Sequence, residues 1–219
     1  MTTSDHLTVF VVDDDPAVRD SLSLLLETAG FSVECHESAE SFLAGYREDR
    51  QGCLILDVRM QPMSGPELQA ELVRRGSRLP IIFLTAHGDI PMTVRAIKAG
   101  AKDFLTKPID GNELLDRVQA VLQAEQERLN HRKQREKDCK RLEELTQREQ
   151  EIMMLALAGL ANKTIAKQLG ISYRTVEIHR SHILQKTETA NMLELAQLAS
   201  ACGVAFENGE HAEGQANSS

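Results

Sequence analysis

No apolar run in the 219-residue chain approaches the roughly 18 residues that a membrane-crossing helix requires. Residues Met1 to His6 have neither the basic stretch nor the apolar stretch of a signal peptide. These two absences lead to the expectation of a soluble, cytoplasmic protein with no membrane partner. Cysteine is also scarce. Cys35, Cys53, Cys139 and Cys202 are scattered, with no C-x-x-C pair and no histidine at zinc-ligand spacing, so reduced thiols are expected. Positive charge is outweighed, with 25 Lys and Arg against 33 Asp and Glu for a net of −8. That balance argues against nonspecific nucleic-acid binding, because phosphate affinity comes from clustered Lys and Arg. The apolar content, 42%, is enough to fill ordinary cores and excludes disorder as the main state.

The acidity is unevenly spread. Residues 1–122 carry a net −7, whereas residues 123–144 and 145–206 each carry +1, so DNA binding can reside only in the C-terminal part. The first 122 residues alternate short apolar runs with helix-period segments. Strands are expected over 8–12, 31–35, 53–56, 81–84 and 103–105, with helices over 16–29, 38–46, 66–75 and 91–99. Strand-then-helix repetition implies a five-stranded parallel sheet covered on both faces, an α/β doubly wound fold. Polar residues just after the strands then gather at the carboxyl edge of the sheet: Asp13, Asp14, Asp57, Thr85 and Lys107.

A fifth helix begins near Asp110, and nothing breaks it through Arg141. Its apolar seam fails where Glu125, Arg132 and Glu136 replace the expected apolar residues, so 123–144 reads as a solvated helical linker. Residues 145–206 read as four short helices, a small all-α domain. Thr146 and Glu149 form a capping box, while Asn162, Ser172 and Asn191 are expected caps and Gly170 and Gly203 expected stops. Residues 207–219 have almost no apolar content and read as a disordered tail.

Clustered carboxylates at strand ends repel one another unless a cation intervenes. Hard oxygen ligands open to water suit Mg²⁺. A carboxylate held there can attack a phosphoryl donor and become an acyl phosphate, with Lys107 and the metal neutralising charge and the Thr85 hydroxyl donating to an equatorial oxygen. Asp57, alone on the middle strand, is the best nucleophile.

Together these residues carry a resemblance. The segment from Val9 to about Leu122 resembles the flavodoxin-like receiver domain of bacterial two-component response regulators. The matching motifs are the acidic pair in Val11-Val-Asp-Asp-Asp15, Asp57 in Leu54-Ile-Leu-Asp-Val-Arg-Met60, Thr85 in Leu84-Thr-Ala-His87, and Lys107-Pro108. The resemblance implies that Asp57 accepts phosphate from a cognate histidine kinase. It also implies Mg²⁺ bound by Asp14, Asp57 and the Arg59 backbone carbonyl, with Asp13 acting through water. A switch formed by Thr85 and Phe104 and a cis Lys107–Pro108 bond are implied as well. One departure is that Gln61 stands where the family's D-x-x-M-P pattern has proline, which comes one residue later at Pro62. A competing reading is a haloacid-dehalogenase-type phosphatase with Asp13 as nucleophile, but that family's fourth acidic motif is missing.

In the C-terminal module, Thr164 to Lys186 reads as helix, glycine-containing turn, helix. Lys163, Lys167, Arg174, Arg180 and Lys186 have only Glu177 as a nearby acid, and Ser172, Tyr173 and Thr175 offer phosphate hydrogen bonds. With Val176 and Ile183 pointing inward, Arg174, Glu177, Ile178, Ser181 and Gln185 share the opposite face as candidate base readers. The motifs Leu145-Thr-Gln-Arg-Glu149, Gly159-Leu-Ala-Asn-Lys163, Leu169-Gly170-Ile171-Ser172 and His179-Arg180 are similar to the LuxR-type helix-turn-helix, and the whole chain resembles the FixJ/NarL regulators. His87 to Gly100 is also similar to FixJ-type receivers.

The resemblance implies a transcription regulator and not an enzyme, with at most slow self-dephosphorylation. Promoter DNA and RNA polymerase are the implied partners, and activation implies a homodimer formed near Val94, Lys98 and Phe104. Relatives often have Lys where Glu177 stands; a glutamate there can accept a hydrogen bond from cytosine N4. After Lys186 the family prefers Leu-Gly, whereas this chain has Thr187-Glu188. A third reading keeps the receiver and makes the C-terminal module a protein- or RNA-interaction domain.

Overall fold

The computed structural model describes residues 7–86 and 100–205. The expected helix over 91–99 and the expected tail at 207–219 lie outside them, as do Val94, Lys98 and all of the His87–Gly100 segment except Gly100. The chain divides into two compact units between Leu129 and Asn130.

In the first unit, β1 (Thr8–Val12), β2 (Ser32–His36), β3 (Gly52–Asp57), β4 (Ile81–Thr85) and β5 (Asp103–Thr106) form one parallel sheet in the order β2-β1-β3-β4-β5. Its inner strands are buried on both faces, which is why β3 and β4 read as continuous apolar runs. On one face Phe10, Leu54, Leu56 and Phe83 meet Phe42 of α2 (Ala39–Gly45) and Leu68 and Leu72 of α3 (Gly65–Arg74). On the other, Val9, Val11, Ile55 and Ile82 meet Leu22 and Leu26 of α1 (Pro16–Thr28) and Leu114 and Val118 of α4 (Gly111–Glu143). Asp15 caps α1, its side chain accepting from the Ala17 N–H at 2.9 Å, with Pro16 at the first helical position.

Helix α4 is uninterrupted over 33 residues. Its linker part is less solvated than its sequence suggests. Glu125 is buried, because the Arg128 guanidinium three residues on grips both carboxylate oxygens at 2.6 and 2.7 Å and removes the cost of an unpaired charge. Arg132 and Glu136 behave as expected, forming an exposed pair at 2.8 Å.

The second unit packs α5 (Gln147–Leu157), α6 (Asn162–Leu169), α7 (Tyr173–Thr187) and α8 (Met192–Ala201) around Ile152, Met153, Ile165, Val176, Ile183 and Leu195. Thr146, Ser172 and Asn191 cap as the sequence indicates. Asn162 does not. Ala161 occupies the cap position, and the Asn162 side chain accepts instead from Arg180 Nη1 at 2.5 Å. Gly170 ends α6 at φ 64°, the left-handed conformation that only glycine adopts without steric cost. The expectation of four reduced thiols is half corrected: Cys35 and Cys53 are free, but Cys139 and Cys202, 63 residues apart, form a disulfide. Tertiary folding brings them together, and their spacing carries no sign of it.

Candidate functional site

β1 and β3 adjoin at the centre of the sheet, and the helices that follow them depart to opposite faces, α1 to one and α3 to the other. A crevice opens where two such connections diverge, at the carboxyl ends of the strands. Register places Val12 beside Leu56, so Asp13 and Asp57 leave the two strands side by side. Carboxylate oxygens of Asp13, Asp14 and Asp57 lie within 4.8 Å of one another. Gly65 lets α3 begin directly behind Asp57, since a Cβ there would stand 2.3 Å from the Asp57 carbonyl oxygen.

The three aspartates have different surroundings. Asp13 is fully buried and already engaged, accepting from the Asp15 N–H at 3.0 Å and from Lys107 Nζ at 2.6 Å. Asp14 is exposed. Asp57 retains 8% of its surface and stands 3.4 Å from Lys107 Nζ. Burial pushes the Asp57 carboxyl above its ordinary value; Lys107 opposes this, Asp13 adds to it, and a hydrogen bond from the Arg59 N–H opposes it. Burial pulls the Lys107 ammonium down, but bonding to Asp13 and the charges of Asp13 and Asp57 outweigh it and raise the group. The Lys107 N–H donates to the Thr85 carbonyl at 2.6 Å, which aims the lysine inward from β5, and Lys107–Pro108 is cis as implied. Gln61–Pro62, where the loop departs from the family pattern, is cis too.

Three carboxylates against one ammonium leave an excess of two negative charges in a pocket with one exposed oxygen donor. That donor set is hard, compact and anionic, and it fits a divalent oxygen-seeking cation such as Mg²⁺. Thr85, 2% exposed, ends β4 at the same edge. Phe104 pairs in register with Phe83, two residues before Thr85, so Thr85 and the Phe104 ring lie on one face of the sheet; the two phenyl rings are 6.2 Å apart.

In the helical unit, Val176 and Ile183 are buried while Arg174, Glu177, Ile178, Ser181 and Gln185 are exposed, as the heptad spacing requires. Ile178 leaves 47% of its surface in water. Lys163 and Lys167 are exposed on α6.

The receiver-domain family of response regulators matches residues 9–119, and the family of bacterial regulatory proteins of the luxR type matches residues 143–199. The transcriptional regulatory protein FixJ of Azorhizobium caulinodans is 46% identical over 202 residues, 92% of this chain and 95% of that one. TdiR of Thauera aromatica is 48% identical over 184 residues, 84% of this chain and 81% of the relative. Among solved structures, the response regulator StyR superimposes with a TM-score of 0.78 at 47% identity, covering 89% of this chain and 98% of the other. Full-length FixJ from B. japonicum gives 0.54 at 35%, covering 90% and 98%. The chain belongs to the response regulators. It is a phosphorylation-dependent transcriptional regulator, combining a receiver with a LuxR-type DNA-binding domain.

In this response regulator the receiver residues expected from sequence converge on one edge: Asp13, Asp14, Asp57 and Lys107 in direct proximity, with Thr85 and Arg59 bordering them. The expected DNA face divides. Lys186, assigned to it from sequence, donates to the buried Glu149 at 2.7 Å, and Thr175 shares a 2.8 Å hydroxyl contact with the Ser172 cap. Arg180 is half-buried and braces α7 against Asn162 of α6. These three side chains make contacts within the helical unit, Lys186 while remaining exposed, and Arg174, Glu177, Ile178, Ser181 and Gln185 share the exposed face of α7. Sequence reasoning missed Arg19, whose guanidinium donates to the Asp13 carbonyl at 2.8 Å and fixes the turn that presents the acidic pair. Its position one turn into α1, facing back toward the strand end, was the available signal.

Proposed function

We propose that Asp57 is the phosphoryl acceptor, taking the group from a phosphohistidine of a cognate histidine kinase. An Asp57 oxygen forms the bond to phosphorus, the phosphorus–nitrogen bond of the donor breaks, and the released imidazole nitrogen takes up a proton. Lys107, held at the pocket by Asp13, donates to the transferred group, and the Thr85 hydroxyl donates to a second of its oxygens. Mg²⁺, with Asp14, Asp57 and the Arg59 carbonyl as ligands and Asp13 acting through water, would neutralise charge on that group. The protein is then a signalling acceptor with at most slow self-dephosphorylation. The carrying observation is that Asp57 keeps 8% of its surface exposed and lies 3.4 Å from Lys107 Nζ, while Asp13 is fully enclosed and bonded to Lys107 at 2.6 Å. Incubation with radiolabelled phosphodonor and magnesium should label the wild type, and Asp57→Asn should lose more than nine-tenths of the label. Label that survives Asp57→Asn and disappears in Asp13→Asn would select the phosphatase-like reading.

The added charge of about −1.5 to −2 biases the receiver through Thr85 and Phe104. Moving a 1:99 population to 99:1 requires about 5.5 kcal/mol of preference, to which homodimer formation contributes. Two DNA-binding units then read paired half-sites of promoter DNA in the cytoplasm and engage RNA polymerase. The exposed face of α7, with Lys163 nearby in sequence on α6, supports duplex DNA over a protein or RNA partner. Glu177→Ala should change the preferred base at one position of a randomised site and flatten the salt dependence little, because no phosphate contact is lost.

A further inference from the structure

Cys139 lies on the linker part of α4, and Cys202 is the C-cap residue of α8. Their Cα atoms stand 5.5 Å apart, in the middle of the range a disulfide spans. Both cysteines are half-buried and belong to the same compact unit. Contacts other than the sulfur bond tie the linker helix to the end of α8 and to the end of α7. Arg135, one turn before Cys139, donates to the Ala201 carbonyl, and Arg141 pairs with Glu188 at 2.5 Å. Cys202 also packs on the helical core, its N–H donating to the Leu198 carbonyl at 3.0 Å. The remaining cysteines lack such an arrangement: Cys35 is solitary and exposed, and Cys53 is enclosed by the sheet, where burial pushes its thiol up to about 12.

We propose that Cys139 and Cys202 form a reversible thiol–disulfide modification site, oxidised by low-molecular-weight disulfides of the glutathione class and reopened by the matching thiols. One protein thiolate attacks a sulfur of the small disulfide and releases one small thiol, leaving a mixed disulfide. The second protein thiolate displaces the other small thiol and closes the protein disulfide. Overall the two cysteines lose two electrons and two protons, and the small disulfide is reduced to two thiols. Closure outcompetes the mixed adduct because the Arg135 contact to Ala201 and the packing of Leu142 and Cys202 in one core hold the partner sulfur at high effective concentration. The closed form staples the end of the linker helix to the last helix of the DNA-binding unit; the open form leaves that union to the Arg135–Ala201 hydrogen bond and to the packing of Leu142 in the helical core. Both cysteines belong to the second compact unit and the acidic pocket to the first, so the proposal does not depend on which aspartate accepts phosphate.

The test uses the full wild-type chain, equilibrated in glutathione buffers from fully reduced to disulfide-rich, acid-quenched and labelled with a mass-tagged maleimide after denaturation. The expected result is a loss of two reactive thiols in a single step, with peptide mapping joining Cys139 to Cys202 and leaving Cys35 and Cys53 labelled. Amide exchange over residues 130–143 should be at least tenfold faster in the reduced protein. Full labelling of Cys139 and Cys202 in the disulfide-rich buffer overturns the proposal, as do persistent glutathione adducts, a disulfide-linked dimer, or exchange rates that ignore the redox state.

Discussion

Each unit of this response regulator buries a carboxylate beside a lysine, and the two are tuned in opposite directions. In the receiver, burial and the neighbouring Asp13 push Asp57 up although Lys107 opposes them. In the DNA-binding unit, burial also acts to raise Glu149, but the Lys186 ammonium and the Thr146 N–H and hydroxyl outweigh it and bring the carboxyl from 4.5 to about 2. The difference is one of stoichiometry. Glu149 has one cation and two further donors to itself, whereas Lys107 is shared among an acidic group that it cannot neutralise. A balanced pair fastens α5 to α7. An unbalanced group open to water retains an electrostatic demand that only a ligand can meet, and such perturbed groups mark sites of chemistry.

Removing each lysine breaks the comparison most directly. Lys186→Met strands a carboxylate that is 4% exposed and should cost the helical unit about 3 kcal/mol, with magnesium making no difference. Lys107→Met should destabilise the receiver by a similar amount in chelator, and magnesium should restore most of it, since a cation at a hundredfold excess over its Kd contributes about 2.7 kcal/mol. Amide exchange measured unit by unit in the full chain, with and without magnesium, separates the two. Rescue of Lys186→Met, or none for Lys107→Met, would dissolve the distinction.

Acid sharpens it further. Because Glu149 titrates lower in the folded chain than its ordinary 4.5, its contribution to stability is complete above pH 4.5 and is lost as pH falls toward 2. With Lys186 side chain 43% exposed, screening reduces the contribution to roughly 2 kcal/mol. Asp57 has the opposite sign: its raised carboxyl makes the receiver lose stability as pH rises through the carboxylate range. Between pH 5 and 3 the DNA-binding unit should therefore weaken, and Glu149→Gln should flatten that part of its profile while leaving the receiver's unchanged. Exchange-derived stabilities at each pH read this out.

Much of this was legible in the sequence because it rests on local rules. Apolar runs located five strands to within a residue or two, four of them ending in or followed by Asp, Thr or Lys, and the parallel sheet brings those ends to one edge. Capping chemistry located Thr146, Ser172 and Asn191 for the same reason: a cap acts within three residues. Apart from Glu125, buried by its pairing with Arg128 three residues on, what the sequence did not show is long-range. The Cys139–Cys202 bond, the Arg180–Asn162 contact and the Lys186–Glu149 pair each join separate helices, and helical periodicity gives no sign of any of them. Helical periodicity indicates which face a basic residue shares; it does not show that an acid on another helix has already claimed it.

The smallest expected effect concerns an ion pair with neither burial nor charge excess. Glu188 ends α7 at φ 54°, a left-handed conformation in which a side chain costs about 1 kcal/mol. Its carboxylate pairs with Arg141, but 65% of the Glu188 side chain is exposed, so the pair returns only about 0.5 kcal/mol. Glu188→Gly relieves the backbone and forfeits the pair, for a net gain of about 0.5 kcal/mol, or roughly 2–4 °C in the melting temperature of a unit this size. Glu188→Ala forfeits the pair and keeps the strain, so it should lower the melting temperature by a similar amount. Opposite signs for the two substitutions would place this contact below both buried lysine pairs in strength. A loss in both would mean that the Arg141 contact outweighs the backbone term, and that exposure alone does not separate this pair from the one at Glu149.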